Sequence, residues 1–542
     1  MANWNILSEY DPKISVVEKI LGVRGIKDPS EFLNPPSISE YFKKLPLDFK
    51  RSLKKARNLI EKELENGTQI IIFGDYDSDG INAVAILYNF LKYEKGYENV
   101  FYFIPNRFDH SYGISEKSVN ASLEQVDQDK DVLFITVDLG ITAVGPIKYI
   151  KDLGHKIILT DHHQKSDEIP EVDCIVWSDQ MCGASIAFLL SRVLGSKDPK
   201  TVCLATLATI TDVIPVIGFN RSLVKKGLEV FNKSPPKGLR KLIEVADKKR
   251  DKITTYDLGW VIGPRINASG RLKSADESLK LLIEKDENIQ REIAEKLNEI
   301  NIERQNKTIE MTEAASKFDE KNLPKILFTA SEDFHEGIVG LVAGSLVKKY
   351  YRPAVVISLS DSIGKGSVRS ISGINIIELL RKHEDLFIDL GGHPMAAGFS
   401  IEPKKISTLE KKMLEEMEKI KDKEVFTPHI NVDMEIPPSN INLDLISDIE
   451  KLKPFGMGNS QPIFMSKGLK ITAVDTVGRD GSHLKFSFYD GNKYYKGIYF
   501  GGAKKVSDIK FGDTIDLVYT LNKNEYNGNT YIDLFVKDIK KV

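Results

Sequence analysis

The sequence predicts an α/β protein in which a parallel-sheet domain is joined by a long helix to a second α/β domain and followed by a β-barrel or sandwich. Three observations carry this. Between Ile70 and Asp212, short β-branched runs alternate with helical patterns, which is how a mostly parallel sheet covered on both faces is written. From Lys280 to Phe318 the chain is charged, helix-favouring and without Gly or Pro, as a long connecting helix requires. Beyond Val425 short strand patterns are separated by turns such as RDGS, YDGNK and YNGN, the punctuation of a small antiparallel β domain.

Taken in order, the first region reads QIIIFGD, NAVAILYNFLKY, VFYFIP, VLFITVDLG, AVGPIKYIKDLG, KIILTDHH and LATLATITD. In parallel sheets the chemistry gathers at the C-terminal strand ends. Asp75, Asp138, Asp161 and Asp212 each follow an apolar run read as a strand. The second α/β region has strand candidates KILFTA and PAVVISL, a helical GIVGLVAGSLVKKYY, two glycine-dense segments read as loops (GKGSVRS and LGGHPMAAGFS), and a solvated helix, KKISTLEKKMLEEMEKIKDKE.

A chain of 542 residues with 41 % apolar and 28 % charged residues has material for several cores. Its formal charge of −2 excludes a polycation held to nucleic acid by bulk charge. Three cysteines without regular spacing argue against a disulfide framework or a zinc knuckle and fit a reducing cytoplasm. No signal-peptide pattern and no run of about 18 apolar residues is present, so a soluble cytoplasmic protein without a membrane partner is expected.

GDYDSDG sets Asp75, Asp77 and Asp79 at alternate positions. Three carboxylates crowded at a strand end repel one another unless cations neutralise them. A calcium loop opens in the same way, but the Glu it needs is replaced by Ile86. TDHHQ adds Asp161, His162 and His163, VDLG adds Asp138 and TDVIP adds Asp212. Carboxylates with imidazole and no thiolate select Mn²⁺ or Mg²⁺. There are more of them than one ion needs. Two ions roughly 3.5 to 4 Å apart would form a phosphoesterase centre.

The series GDYDSDG, VDLGIT, TDHHQ and ITDVIPV resembles the four motifs of the DHH phosphoesterase superfamily. IPNRFDHSYGIS, IGPRINASGRL, FHEGIVGLVAGSLV, GKGSVRSISGINIIELL, GGHPMAAGF and LKPFGMGNSQPIF narrow the resemblance to RecJ-type single-strand-specific exonucleases, ten segments spread from about Phe73 to Phe464. The resemblance implies a DHH catalytic domain (51–284) after an N-terminal segment (1–50), a connecting helix (285–318), a DHHA1 substrate-binding domain (319–425) and an OB-fold (426–542). It also implies metal-dependent hydrolysis of single-stranded DNA, 5′ to 3′, to mononucleotides, serving repair and recombination.

Carried over by motif, Asp77 and Asp138 hold one ion, while Asp79, Asp138, His162 and Asp212 hold the other. Asp75 completes the first site, and Asp161 and His163 orient ligands or touch the scissile phosphate. Arg107, Arg265, Arg271 and Arg369 are candidate phosphate contacts, since a guanidinium fork matches phosphate oxygens. Tyr112 and Asn267 stand in the same segments as expected substrate contacts. Gly391 and Gly392 would let backbone N–H groups approach a phosphate, with His393 donating beside them.

Residues 461–542 contain 13 basic and 9 acidic side chains. Phe486, Phe488, Tyr494, Tyr495, Tyr499 and Phe500 interleave there with Lys485, Lys493 and Lys496, a combination that suits single-strand binding, although about half of the rings are expected in the core. Single-stranded DNA is the expected partner of a monomer, with a single-strand-binding protein or a helicase as candidate protein partners.

The sequence departs from the family pattern at Asn82, at Leu139 and in a shortened loop near Asp179 and Cys182. Two other readings share parts of the pattern. A nano-RNase or cyclic-dinucleotide phosphodiesterase has the DHH core without the β-rich C-terminal region, and a non-catalytic replication scaffold would have lost ligands that are all present here.

Overall fold

The computed structural model describes residues 2–106, 113–246, 252–478, 481–503, 505–506, 509–526 and 529–542. Arg107 and Tyr112 lie outside them. The chain forms two compact units, one of Pro36–Ile420 with Gly456–Gly458, the other of Met1–Pro35 with Lys421–Phe455 and Asn459–Val542. No helix among the described residues is long and apolar enough to cross a membrane.

Strand β1 (Asn3–Ile6) opens the chain. The larger unit then builds a five-stranded sheet from β2 (Gln69–Gly74), β3 (Val100–Phe103), β4 (Val132–Val137), β5 (Lys156–Asp161) and β6 (Cys174–Trp177), in the order β3-β2-β4-β5-β6. Every pairing is parallel. Alternate residues of one strand enter different cores. Ile70 and Ile72 join Leu133, Ile135 and Ile158 under the helices Leu47–Glu65, Ser78–Asn89 and Gly183–Val193. Ile71 and Phe73 join Phe134, Ile157 and Leu159 against Ile147 and Ile150. Burial on both faces is why the strands read as continuous apolar runs.

The run LATLATI is a helix, not a strand. Thr201–Thr211 is helical, and it is buried from Thr201 to Thr209, so its apolar text carries no amphipathic period to separate it from a buried strand. Asp212 therefore caps a helix C-terminus.

The 29-residue helix Glu287–Ala315 links two cores. Its Ile293, Ala294 and Leu297 pack in the first. Its Met311 and Ala315 pack in the second, with Leu327, Val339 and Leu346. There β7 (Leu327–Ser331), β8 (Ala354–Leu359), β9 (Gly364–Arg369), β10 (Phe387–His393) and β11 (Ala396–Ile401) form a sheet in the order β10-β11-β9-β8-β7. Only β7 and β8 run parallel. The glycine-dense segments expected as loops are strands of this sheet. Their glycines serve close approach: a Cβ on Gly366 would enter the Phe399 ring of the neighbouring strand.

In the smaller unit β12 (His429–Val432) pairs in parallel with β1. β13 (Met434–Glu435), β14 (Phe464–Val477), β15 (His483–Tyr489), β16 (Tyr494–Tyr499), β17 (Thr514–Tyr526) and β18 (Asn529–Lys541) make a six-stranded sheet that closes through β14 and β17 into a barrel. Val17, Ile20, Leu21 and Phe32 pack into the same core as Phe464, Phe486 and Leu534, so the first 35 residues belong physically to the barrel unit. Four of the six interleaved aromatics, Phe486, Phe488, Tyr495 and Tyr499, are core residues, while Tyr494 and Phe500 are exposed. Pleating explains the split, because successive side chains alternate between the two faces of a strand.

Candidate metal centre

The motifs converge at one end of the parallel sheet. Asp75 leaves β2 buried, and Asp77 caps the Ser78–Asn89 helix, its carboxylate accepting from the backbone N–H of Asp79 at 2.8 Å and of Gly80 at 3.2 Å. Asp79 is buried in the first turn of that helix. Its two oxygens accept from the N–H groups of Gly183 and Ala184, each at 2.7 Å. These donors are the first residues of the Gly183–Val193 helix, whose positive dipole end favours the carboxylate.

Asp138 follows β4 with φ +65°, and Val213, next to Asp212, has φ +58°. Left-handed backbone at two residues with side chains is costly and is retained where the surroundings enforce it. At Asp138 the enforcement is visible: its N–H donates to the Thr160 carbonyl at 3.0 Å, and its side chain lies against the start of the Gly183 helix.

His162 Nε2 lies 3.1 Å from Asp138 Oδ1 and 3.6 Å from both Asp79 Oδ2 and Asp212 Oδ2. Three sets of side chains bring ligand atoms within 4.8 Å of one another: Asp75, Asp77 and Asp138; Asp79, His162 and Asp212; and Asp138, His162 and His163. Asp138 belongs to two of the three. Its Oδ1 is buried and accepts no hydrogen bond, an orphaned carboxyl oxygen of the kind a cation would satisfy. The donors are carboxylates and imidazoles without a thiolate, which fits Mn²⁺ or Mg²⁺.

Electrostatics agree with that fit. Burial, then the charges of Asp79, Asp77, Asp212 and Asp75, hold Asp138 well above the usual carboxylate range. Burial and Asp79 raise Asp77. Burial, Asp79 and Asp77 push Asp212 up to about 9. Carboxyls raised in this way stabilise the fold below their ordinary value near 3.8, and that contribution is lost as pH rises through the folded value. The metal-free protein is therefore expected to lose thermal stability from about pH 5 toward pH 9, with Mn²⁺ flattening the decline by neutralising the cluster. Melting curves in chelator and in Mn²⁺ test this, and parallel pH profiles in the two would contradict it.

Asp161 turns away to a different task. One oxygen accepts from Ile141 N–H at 2.9 Å, and the other from His162 N–H at 2.7 Å, His163 N–H at 3.1 Å and the His163 Nδ1 at 2.7 Å. Trp177 Nε1 donates to the His163 carbonyl at 2.8 Å. Burial opposes a charge on the His163 ring, but the Asp161 hydrogen bond and the surrounding carboxylates raise it to about 9. Burial likewise opposes ionisation of Asp161, and the bonds from His163 and Ile141 outweigh it.

The expected substrate contacts separate. Asn267 Oδ1 accepts from Ser78 N–H at 2.7 Å, so its carboxamide secures the start of the aspartate-bearing helix. Arg265 donates through Nε to Asn298 at 3.0 Å and through Nη1 to the Val261 carbonyl at 2.7 Å. Arg271 reaches the Gly337 carbonyl at 3.5 Å. Arg369 donates to Ser367 Oγ at 3.1 Å and to the Val368 carbonyl at 2.9 Å. Gly391, Gly392 and His393 lie exposed on β10 in the second sheet. A Cβ on Gly392 would strike Ala396 and Ala397, so this glycine serves its own hairpin, whereas Gly391 is open.

Sequence reasoning missed Gly183 and Ala184, whose N–H groups fix Asp79, and the capping role of Asn267. The text CGAS before an apolar helix carries the first signal, a helix N-terminus able to hold an anion. Among the departures from the family pattern, Asn82 is buried and donates to the Ser78 carbonyl at 2.6 Å, and Leu139 joins the apolar core.

Comparison with known proteins is consistent with this layout. The DHH family N-terminal domain matches residues 69–211, the DHHA1 domain matches 323–419 and the RecJ OB domain matches 432–538. The single-stranded-DNA-specific exonuclease RecJ of Thermus thermophilus is 30% identical over 517 residues, covering 92% of this chain and 72% of that protein. Its counterpart in Bacillus subtilis is 31% identical over 502 residues, 90% of this chain. The chain spans 63% of the length of that Bacillus relative. The solved structure of Thermus thermophilus RecJ in complex with Mn²⁺ superposes with a TM-score of 0.84 at 27% identity, covering 100% of this chain and 80% of that one. The expected α/β architecture with a C-terminal OB domain is borne out.

Proposed function

Because this chain belongs to the RecJ family of single-stranded-DNA-specific exonucleases, we propose that it hydrolyses single-stranded DNA from the 5′ end to mononucleotides, using two divalent ions, Mn²⁺ or Mg²⁺, in repair and recombination. The observation that carries the proposal is the sharing of Asp138 between the Asp75–Asp77 set and the His162–His163 set. In this reading Asp138 bridges, Asp77 and Asp75 complete one ion site, and Asp79, His162 and Asp212 complete the other. Ions bound there supply Lewis acidity and a lowered pKa for water.

The chain's own residues do the rest. The Gly183 and Ala184 N–H groups hold Asp79 in one orientation, so the carboxylate would need no rearrangement to bind a cation. The Asp161 bond at 2.7 Å fixes the His163 ring by its Nδ1 and leaves Nε2 to donate to a phosphate oxygen. Asp161 acts through His163 as a positioning residue. On the smaller unit, Tyr494, Lys496 and Lys485 project from the exposed face of β15 and β16, where rings and cations can gather a strand. Single-strand-binding protein or a helicase remains the candidate protein partner, and a cytoplasmic monomer the expected state.

The defining assay offers 5′-labelled and 3′-labelled single strands, duplex and dinucleotides with Mn²⁺ and with chelator. Release of mononucleotide from the 5′ label of single strands alone is expected. Cleavage of dinucleotides with long strands untouched would favour the phosphodiesterase, and inactivity throughout would favour the scaffold. Reversing Lys485 and Lys496 to Glu is expected to weaken capture of long strands and lower its salt slope by about 1.4, at roughly 0.7 per lost phosphate contact. An unchanged slope would remove this face from the binding path.

A further inference from the structure

Trp260 is 73% exposed and Tyr256 is 55% exposed, one helical turn apart on the segment before Arg265, with ring centroids 6.4 Å apart and planes 30° apart. Two exposed rings lying against each other make a continuous apolar patch, and such patches mark interaction sites where singly scattered exposed apolar residues do not. The segment is anchored against the helix Thr201–Thr211, which ends at Asp212. A Cβ on Gly259 would meet Ile210 at 3.3 Å, and one on Gly263 would collide with Thr211, the residue before Asp212. The rings therefore sit on an element seated directly against the chain that carries Asp212.

The same segment continues into a pair of cations. Arg265 uses Nη1 on the Val261 carbonyl, next to Trp260, and Nε on Asn298; Arg304 uses Nη2 on Asn301, at 2.7 Å. Asn298 and Asn301 are one turn apart on the Glu287–Ala315 helix, so both guanidinium groups are tethered by carboxamide oxygens on one stretch of helix. Burial lowers the pKa of each, and the charge of Arg265 lowers that of Arg304 further. Neither forms an ion pair with a carboxylate among the described residues. Two neighbouring, half-buried guanidiniums tethered only by neutral oxygens suit an anion, and a guanidinium fork suits phosphate.

We propose that Trp260 with Tyr256, and Arg265 with Arg304, form one stretch of the single-strand path on the catalytic unit, the indole stacking on a base and the two guanidiniums taking backbone phosphates beside it. This rests on the function proposed above and extends it to Trp260, Tyr256 and Arg304. Alternation of aromatic and cationic groups is how a single strand is held without sequence preference. A protein ligand would answer the rings but would also have to bring its own anions to the arginines.

The test uses the full chain in chelator, with oligo-dT, so that binding is read without cleavage. The chain has three tryptophans, Trp4, Trp177 and Trp260. Oligo-dT is expected to quench tryptophan emission, and Trp260→Phe is expected to lose most of the quench while keeping its affinity within about twofold, because phenylalanine still stacks. Trp260→Leu is expected to raise Kd by about tenfold. Arg304→Gln is expected to raise Kd and to lower the salt slope by about 0.7, and Arg304→Lys to restore the slope. Melting temperatures show that each variant folds. Unchanged affinity in Trp260→Leu, undiminished quenching in Trp260→Phe, or an unchanged slope in Arg304→Gln overturns the proposal. If that happens while the wild type binds and cleaves the oligomer with Mn²⁺, the exonuclease reading stands. If the wild type neither binds nor cleaves single strands, both fall.

Discussion

Asp138→Ala is expected to reduce cleavage of single-stranded DNA by at least about a hundredfold while leaving strand binding in place. The reason is positional. Asp138 is the residue common to the set with Asp75 and Asp77 and the set with His162 and His163, and its buried Oδ1 has no hydrogen-bond donor. In the proposed centre, removing it takes a ligand from two sites at once. It also removes one of several buried, mutually repelling carboxylates, so the metal-free variant is expected to melt no lower than the wild type in chelator and to gain less from Mn²⁺. Asp138→Asn is the companion variant, since asparagine tolerates the φ of +65° better than alanine does. Single-turnover cleavage and anisotropy in chelator separate chemistry from binding. Survival of most activity in both variants would contradict the bridging role.

Gly183→Ala is expected to be nearly as damaging, although the glycine offers no chemistry of its own. An added Cβ would lie 2.5 Å from Asp138 Cβ and 2.8 Å from its Oδ1. The same residue donates its N–H to Asp79 at 2.7 Å. Any shift that relieves the methyl group moves the carboxylate on one side and the donor on the other. Misplacement of about 1 Å costs on the order of a hundredfold in rate, and overpacking costs about 1–3 kcal/mol of stability. kcat at saturating Mn²⁺ and urea denaturation measure the two effects. Activity within about threefold of the wild type would show that the close seat of this helix on Asp138 is dispensable.

Much of the centre was legible because local text determines where parallel strands end. Asp75, Asp138 and Asp161 follow apolar strand runs, and the sheet gathers them as the strand-end rule requires. Asp212 reached the same place by another route, at the end of a helix buried over most of its length, whose apolar text has no period to betray it. The glycines of GKGSVRS and LGGHPMAAGFS read as loop punctuation, yet they are strand residues lying against bulky neighbours such as Phe399, a fact that only the paired strand reveals. Gly183 and Asn267 escaped the sequence reading for a similar reason: each acts on a residue about a hundred or more positions away, so even the helix N-terminus signalled by CGAS does not say which carboxylate it holds. The pairing of β1 with β12 spans more than 400 residues and has no signal in either segment.

Asp75, Asp77, Asp79, Asp138, His162 and Asp212 are proposed to hold paired divalent cations. Anomalous diffraction from crystals grown with Mn²⁺ tests it most directly. Two peaks roughly 3.5 to 4 Å apart, both within bonding distance of Asp138, are predicted. A single peak, or peaks away from this residue, would contradict it.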